Sequence, residues 1–282
     1  MLQILGSVLK HFPKLVWQLR SYRRRKKFIN FNTPKDMFSK IAQMSVENAN
    51  NPLWSKLADK WAVRDYIKKE LGEEFLIPLL GCYNSVEEID FEALPDSFVL
   101  KTNNGCSTNI IVPAKDKLNR DEAKKFLAKW QKFPYGEVTA QLHYSHIKPL
   151  IIAEKFMIQG GNNSSLIDYK FYCVNGDIEA IVLNLNRKAN NHRPETIVRD
   201  VNWESIPEMT NQNVVCTREV ECPECFDELK SIVRKLAAPF KFVRVDMYVI
   251  DNHIYFGEFT FTPYIDDHFS PKGLQYILNK LS

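Results

Sequence analysis

The sequence predicts an α+β fold, on three observations. Residues 166–174 and 178–184 alternate apolar and polar side chains on either side of Asn175-Gly176, the tight-turn pair that most strongly marks a two-stranded hairpin. A second alternating pair, 242–250 and 254–263, follows the same rule. Elsewhere apolar residues recur every three or four positions, as in 226–238, where Leu229, Ile232, Val233 and Leu236 stay in phase for a helix. With 282 residues, 45% hydrophobic and 26% charged, the chain has length for one large or two moderate domains.

The first segment, residues 1–19, is apolar but interrupted by Lys10, His11, Pro13 and Lys14, so it is not a membrane span. Its basic cluster, Arg23-Arg24-Arg25-Lys26-Lys27, follows the apolar stretch, whereas a cleavable signal carries its charge in front. Two readings of residues 1–30 stand together. One is a basic amphipathic helix lying on an anionic membrane surface with Trp17 at the interface, and the other is a helix packed on the domain with a solvated basic end. The net charge of +4 is small for this length and sits largely in that cluster, which excludes a general nucleic-acid surface. Six scattered cysteines and no secretion signal fit a reducing compartment, so the expected location is cytoplasmic, with peripheral contact to the inner membrane face if the N-terminal helix binds lipid.

Residues 31–95 read as a mostly helical N-terminal region, with Pro34 and Pro52 near helix starts. Residues 97–101 and 109–112 then read as a strand, a small-residue loop 102–108 and a returning strand. Asn119 caps a helix over 120–132 with Ala123, Phe126, Leu127 and Trp130 inward. Residues 150–153 are a buried strand ending at Glu154-Lys155. The stretch 187–212 reads as an irregular polar surface loop, and 273–281 as a closing helix. The domain reading is 1–30, 31–95 and 96–282, the last with subdomains 96–152 and 153–282.

Chemistry is concentrated in the second hairpin, where Asp246 and Glu258 interrupt apolar runs on neighbouring strands. A three-residue loop, Asp251 to His253, pairs Asp246 with Glu258 and Arg244 with Thr260; a two-residue loop puts the carboxylates on opposite faces. The three-residue loop is the expectation. Facing carboxylates repel, and a hard divalent cation such as Mg²⁺ removes that repulsion. The bland reading is a solvated face with an Arg-Asp pair. Lys101, at a strand end before Thr102-Asn103-Asn104-Gly105-Cys106-Ser107, offers a fixed positive charge beside backbone N–H groups, as phosphate binding needs, though without the P-loop pattern. Cys222 and Cys225 with Cys216 lack a second pair for zinc. His143 and His146 have no attached nucleophile, and Lys60 with Arg64, one helical turn apart, reads either as a paired cation for a substrate carboxylate or, more simply, as a solvated helix face beside Asp59.

In order, these segments resemble the ATP-grasp superfamily, and more narrowly its TupA-like members of teichuronopeptide and capsule biosynthesis. The residues that carry it run from Pro52-Leu53-Trp54 and Asp59-Lys60-Trp61 through Leu94-Pro95-Asp96-Ser97-Phe98-Val99-Leu100-Lys101, Ile152-Ala153-Glu154 and Asp168-Tyr169-Lys170 to Arg244-Val245-Asp246 and Gly257-Glu258-Phe259-Thr260-Phe261-Thr262-Pro263. The resemblance implies ATP held between two α+β subdomains. It puts Lys101 on the α/β-phosphates, the loop bearing Asn103, Asn104, Gly105 and Ser107 over them, and Glu154, Lys155 and Phe156 at the adenine hinge. Asp168 becomes the ribose acceptor, Lys170 a phosphate contact, and Arg187 the cation at the γ-phosphate or acceptor carboxylate, with Arg244 counted among the catalytic cations. Asp246, Glu258 and Thr260 become Mg²⁺ ligands, with Thr260 replacing the asparagine of many relatives. Residues 264–268 are more acidic and less glycine-rich than the family's pattern, which points to a changed substrate. The implied activity is an ATP-dependent carboxylate-amine ligase acting through an acyl phosphate on a carboxylate-bearing sugar or glycan precursor and an amino acid. A glycan kinase or glycosyltransferase-like enzyme, and a non-catalytic nucleotide-binding assembly factor, are the alternatives.

Overall fold

The computed structural model describes residues 2–158, 166–185, 195–211, 213, 216, 219–265 and 267–281. In chain order the elements are α1 (Leu2–Leu9), α2 (Pro13–Arg25), α3 (Met37–Glu47), α4 (Pro52–Ala58), α5 (Val63–Glu70), β1 (Leu79–Tyr83), β2 (Phe98–Thr102), β3 (Asn109–Val112), α6 (Arg120–Gln131), α7 (Tyr135–Thr139), β4 (Ile151–Lys155), β5 (Asp168–Val174), β6 (Asp177–Leu185), β7 (Glu195–Arg199), α8 (Phe226–Ala237), β8 (Phe242–Ile250), β9 (His253–Thr260) and α9 (Pro271–Lys280). They form two compact units. The first comprises residues 1–29, 44–70 and 77–157, and the second 30–43, 71–76 and 158–282.

The first unit is built on an antiparallel sheet in the order β1-β4-β2-β3. Strand β2 alternates buried and half-buried residues, and its inward Phe98 and Leu100 join Val112, Leu127 of α6, Ile151 and Ala153 in one apolar cluster. Asn119 caps α6 by accepting from the Glu122 N–H, as the sequence indicated. Asn51 does the same for α4, with Pro52 at the first helical position. Strand β1 went unread in the sequence because Leu79–Tyr83 is a short edge run without alternation; all five of its residues are half-buried.

At the N-terminus the structure corrects a single amphipathic helix to two, broken before Pro13, whose ring cannot continue α1 but suits the start of α2. Trp17 is not interfacial: it is 3% exposed, and its indole N–H donates to the Ala140 carbonyl at 3.1 Å. Among the described residues no helix is long and apolar enough to cross a membrane.

The second unit carries an antiparallel sheet in the order β7-β6-β5-β8-β9. Both central hairpins turn through two residues with positive φ, Asn175 and Gly176 (50° and 84°) and Asp251 and Asn252 (50° and 62°), the left-handed pair whose twist matches flanking strands. The amphipathic α8 buries Leu229, Ile232, Val233 and Leu236, and packs on β5, β6 and β8. Strand β7 lies inside the stretch read as an irregular loop; its Thr196, Ile197 and Val198 are buried and pair with β6. The proline and asparagine content that suggested a loop belongs to the residues around it.

The three-residue loop of the second hairpin is also corrected. Ile250 pairs with His253 across a two-residue turn, and this register runs to Met247 opposite Phe256. There it shifts: Asp246 faces Glu258, so Gly257 is an extra, bulged residue. The bulge reverses the parity that the short turn alone would impose, and Asp246 and Glu258 reach one face after all. Phe256 therefore lies with Phe259 in the core, at 4% and 1% exposure, not on the polar face with Glu258.

Candidate functional site

Register builds the site of the second unit. Across β5, β8 and β9, Lys170 pairs with Asp246 and Asp246 with Glu258; in the next row Tyr172 pairs with Arg244 and Arg244 with Thr260. On the other side of β5, Asp168 pairs with Asn184, and Asn184 with Thr196. Strand residues two apart share a face, so these side chains form a polar grid on one face while Phe171, Val243, Val245 and Met247 fill the other.

Asp246 is the hub. Its carboxylate accepts from Lys170 Nζ at 2.6 Å and from Arg244 Nε and Nη2 at 2.5 and 2.7 Å. Arg244 Nη2 also donates to Glu258 Oε1 at 3.0 Å and to Thr260 Oγ1 at 2.9 Å. The Thr260 hydroxyl donates in turn to Glu258 Oε1 at 3.1 Å, and Lys170 lies 3.5 Å from Asp168. Burial works against the charge on Arg244, but Asp246, Tyr172 and Glu258 outweigh it and raise its pKa further. Side-chain exposure separates the carboxylates: 5% for Asp246 and 36% for Glu258.

A second layer, invisible in the sequence, supports this grid. The buried Tyr172 hydroxyl bonds His268 Nδ1 at 2.8 Å, and the Thr196 hydroxyl donates to Asn184 Oδ1 at 3.2 Å. Burial pushes the Tyr172 phenol well above its usual range. The available signal was alternation on β5, which puts Tyr172 on the face of Lys170; nothing local tied His268 to it.

In the first unit Lys101 of β2 and Glu154 of β4 are diagonal neighbours on one sheet face, because Lys101 pairs with Ile152 and Glu154 with Val99. Lys101 Nζ lies 2.5 Å from Glu154 Oε2, and Arg64 of α5 reaches Glu154 Oε1 at 3.4 Å. Arg64 is thus part of this cluster and not merely a solvated helix residue. Its partner in sequence, Lys60, donates to the Gly105 carbonyl at 2.5 Å.

The loop after β2 is fixed at its root. The Asn103 side chain is fully buried: Nδ2 donates to Asp59 Oδ1 at 2.7 Å and to the Lys148 carbonyl at 3.0 Å, and Oδ1 accepts from the Leu150 N–H at 2.7 Å. Its amide braces the loop root. Burial raises the Asp59 pKa against the hydrogen bonds it accepts. Asn104 is also buried, whereas Ser107 is exposed with a positive φ of 58°. Lys155 is exposed at the end of β4 and Phe156 half-buried beyond it. Arg187 lies outside the described residues.

The model of one sequence family, TupA-like ATP-grasp, matches residues 39–281, which span these segments. The chain belongs to the TupA-like ATP-grasp family. Its ATP-grasp fold is also that of the D-alanine–D-alanine ligase from Bacillus anthracis, at 18% identity over 88% of this chain and 76% of that one, with a TM-score of 0.50. The same ligase complexed with ATP aligns at 15% identity, over 85% and 71% of the two chains, with a TM-score of 0.48. The ATP-grasp ligase PsnB complexed with minimal precursor, Mg and ADP aligns at 14% identity, over 87% and 68%, with a TM-score of 0.43. No curated protein sequence matches. Within this TupA-like chain, the structure gathers Asp168, Lys170, Arg244, Asp246, Glu258 and Thr260 in one unit, and Lys101 and Glu154 in the other.

Proposed function

We propose that this protein is an ATP- and Mg²⁺-dependent carboxylate-amine ligase that forms an acyl phosphate on a carboxylate-bearing sugar or glycan precursor and joins it to an amino acid. Membership of the TupA-like ATP-grasp family supports the activity class and the setting, biosynthesis of a bacterial surface polysaccharide such as capsule, teichuronopeptide or O-antigen. The observation that carries it is the row Lys170–Asp246–Glu258, which joins a buried lysine to two cross-strand carboxylates.

Among the described residues no group of three or more His, Cys, Asp or Glu is placed to hold a metal ion, so the proposed Mg²⁺ site rests on the donor chemistry of two carboxylates and a hydroxyl. Asp246, Glu258 and Thr260 offer hard oxygen donors on adjacent strands, and the cluster holds three carboxylates, with Asp168, against the two cations Lys170 and Arg244. Bound there, Mg²⁺ supplies Lewis-acid neutralisation of phosphate oxygens and orients the γ-phosphoryl group. The chain's own side chains do the rest by charge and position. Lys101, held by Glu154, contacts the α/β-phosphates, and Asn104, Gly105 and Ser107 cover them. Lys170 and Arg244, with Arg187, stabilise the negative charge that spreads over the transferred phosphoryl oxygens. Glu154, Lys155 and Phe156 bind the adenine edge, and Asp168 accepts from the ribose hydroxyls. Asn103 acts through the loop root, with Asp59.

The test supplies uronic acids and amino acids to purified protein with ATP and Mg²⁺ and follows the nucleotide product. ADP and phosphate release requiring the carboxylate, with hydroxylamine trapping an acyl hydroxamate, supports the proposal. Release of AMP, phosphorylation of a hydroxyl without any amine, or binding of ATP without turnover would each overturn it.

A further inference from the structure

The first 35 residues hold nine Lys and Arg and no Asp or Glu, which leaves 29 basic against 34 acidic side chains in the remainder. The positive charge is therefore concentrated at one end of a chain that is otherwise acidic. The same segment holds eight of the thirteen large apolar side chains that are exposed among the described residues. Both features meet on α1 and α2.

The two helices are fixed to the first unit by one side only. On α2, Val16, Trp17 and Ser21 are buried; Trp17 and Arg20 donate to the carbonyls of Ala140 and Thr139 at the end of α7. On α1, Gly6 lies against Pro134, so close that an added Cβ would come within 2.8 Å of the proline Cβ. At about 100° per residue, Leu15, Leu19 and Tyr22 form a stripe on the side of α2 away from Trp17, and they are 53%, 58% and 50% exposed. Ile4, Leu5 and Val8 of α1 are exposed as well, at 71%, 48% and 53%. Tyr22 stacks on Phe28 at 5.2 Å, and Phe28 is itself 71% exposed. Around these apolar groups stand the exposed cations Lys10, Lys14, Arg23, Arg24, Lys26 and Lys27.

We propose that this outer face of α1 and α2 docks on an anionic phospholipid bilayer. An apolar stripe flanked by Lys and Arg is the pattern of a helix lying in the plane of a membrane interface. The absence of any acidic side chain from residues 1–35 favours a negatively charged surface over a neutral one. Trp17 serves the opposite purpose to an interfacial anchor: it holds α2 to the protein, and the leucines and tyrosine face the lipid. The inference is independent of the ligase reading.

The test is co-sedimentation of the full chain with mixed phosphatidylcholine–phosphatidylglycerol vesicles and with phosphatidylcholine alone. The expected result is binding to the mixed vesicles that weakens with salt, and little to the neutral ones. Since each basic side chain near an anionic surface is worth roughly fivefold, the four changes in R23Q/R24Q/K26Q/K27Q together lose about a hundredfold or more. L15D/L19D loses a similar factor. Both variants change exposed side chains, and an unchanged melting temperature separates lost docking from lost folding. No binding by the wild type, or undiminished binding by both folded variants, overturns the proposal. So does a wild-type dimer in light scattering that L15D/L19D converts to monomer while vesicles bind neither, because the face is then a contact between two copies.

Discussion

Gly257 is the extra residue that sets Glu258 opposite Asp246 after the two-residue turn, and Gly257→Ala tests how tightly the bulge is packed. A Cβ at this position falls 2.8 Å from the Asp246 carbonyl oxygen, 3.2 Å from its carbonyl carbon and 3.1 Å from the Tyr248 ring. Backbone atoms cannot swing aside, so the bulge must open. Forcing a methyl group into such contact costs about 1–3 kcal/mol, which for a chain of this size lowers Tm by roughly 2–10 °C. Deleting Gly257 is the informative contrast. The pairs Met247–Phe256 and Asp246–Glu258 then become consecutive rungs of a regular ladder, with Glu258 still on the polar face. Thermal melts of the three proteins are expected in the order wild type, deletion, Gly257→Ala, from most to least stable. An unchanged Tm in Gly257→Ala, or a deletion less stable than the alanine variant, would refute the reasoning from the bulge.

Asp246→Asn removes the counter-charge that two buried cations share, and urea unfolding is expected to register a loss of about 3 kcal/mol. Glu258→Gln changes a half-exposed group and is expected to cost less than about 1 kcal/mol, yet to abolish Mg²⁺-dependent ATP turnover; retained turnover would remove Glu258 from the metal assignment. Lys101→Ala is expected to weaken ATP binding by about tenfold or more in calorimetry, and also to lower the melting temperature without nucleotide, because Glu154, 8% exposed, keeps among the described residues only Arg64 at 3.4 Å as its cation. His143, fully buried, has its pKa pushed down to about 3 by burial, with a smaller contribution from His146. The unfolded chain takes up that proton near pH 6.5 and the folded chain only near 3, so this stability is present in full above pH 6.5 and lost as pH falls. Between pH 7 and pH 5 the loss is about 2 kcal/mol, and urea titrations of His143→Gln are expected to show a flatter pH dependence.

What the sequence made legible was alternation. The side chains of Lys170, Arg244, Asp246, Glu258 and Thr260 are polar interruptions in apolar strands, and period-two reading put each on a definite face. The register between strands was less legible, because it depends on backbone torsions. The Asp251-Asn252 pair, two residues that tolerate left-handed φ, favoured the short turn; Gly257 marked a bulge that restored the expected pairing. The two errors cancelled, so the right carboxylates met for a reason different from the one given. Interactions between distant segments carried no local mark. Arg64 with Glu154, Asn103 with Asp59, and Tyr172 with His268 are joined only by the fold. Strands β1 and β7 were missed because a short edge run and a short strand inside a polar stretch lack enough alternation to stand out.

The burial of Asp246 and Glu258 assigns different work to two carboxylates that the sequence presents as equals. Asp246 is 5% exposed and takes both Lys170 and Arg244 at 2.5–2.7 Å. Moving it would leave two buried cations without their nearest anion, a cost of several kcal/mol. Glu258, 36% exposed, meets Arg244 at 3.0 Å in a partly solvated setting where an ion pair is worth about 1 kcal/mol or less. The hub therefore keeps the grid assembled whether or not a ligand is bound, and Glu258 is the group that can exchange its arginine for another cation without unfolding the sheet. Since the two share one face only through the bulge, the fold places its irregular residue at the junction between the carboxylate that holds the structure and the one free to change partners.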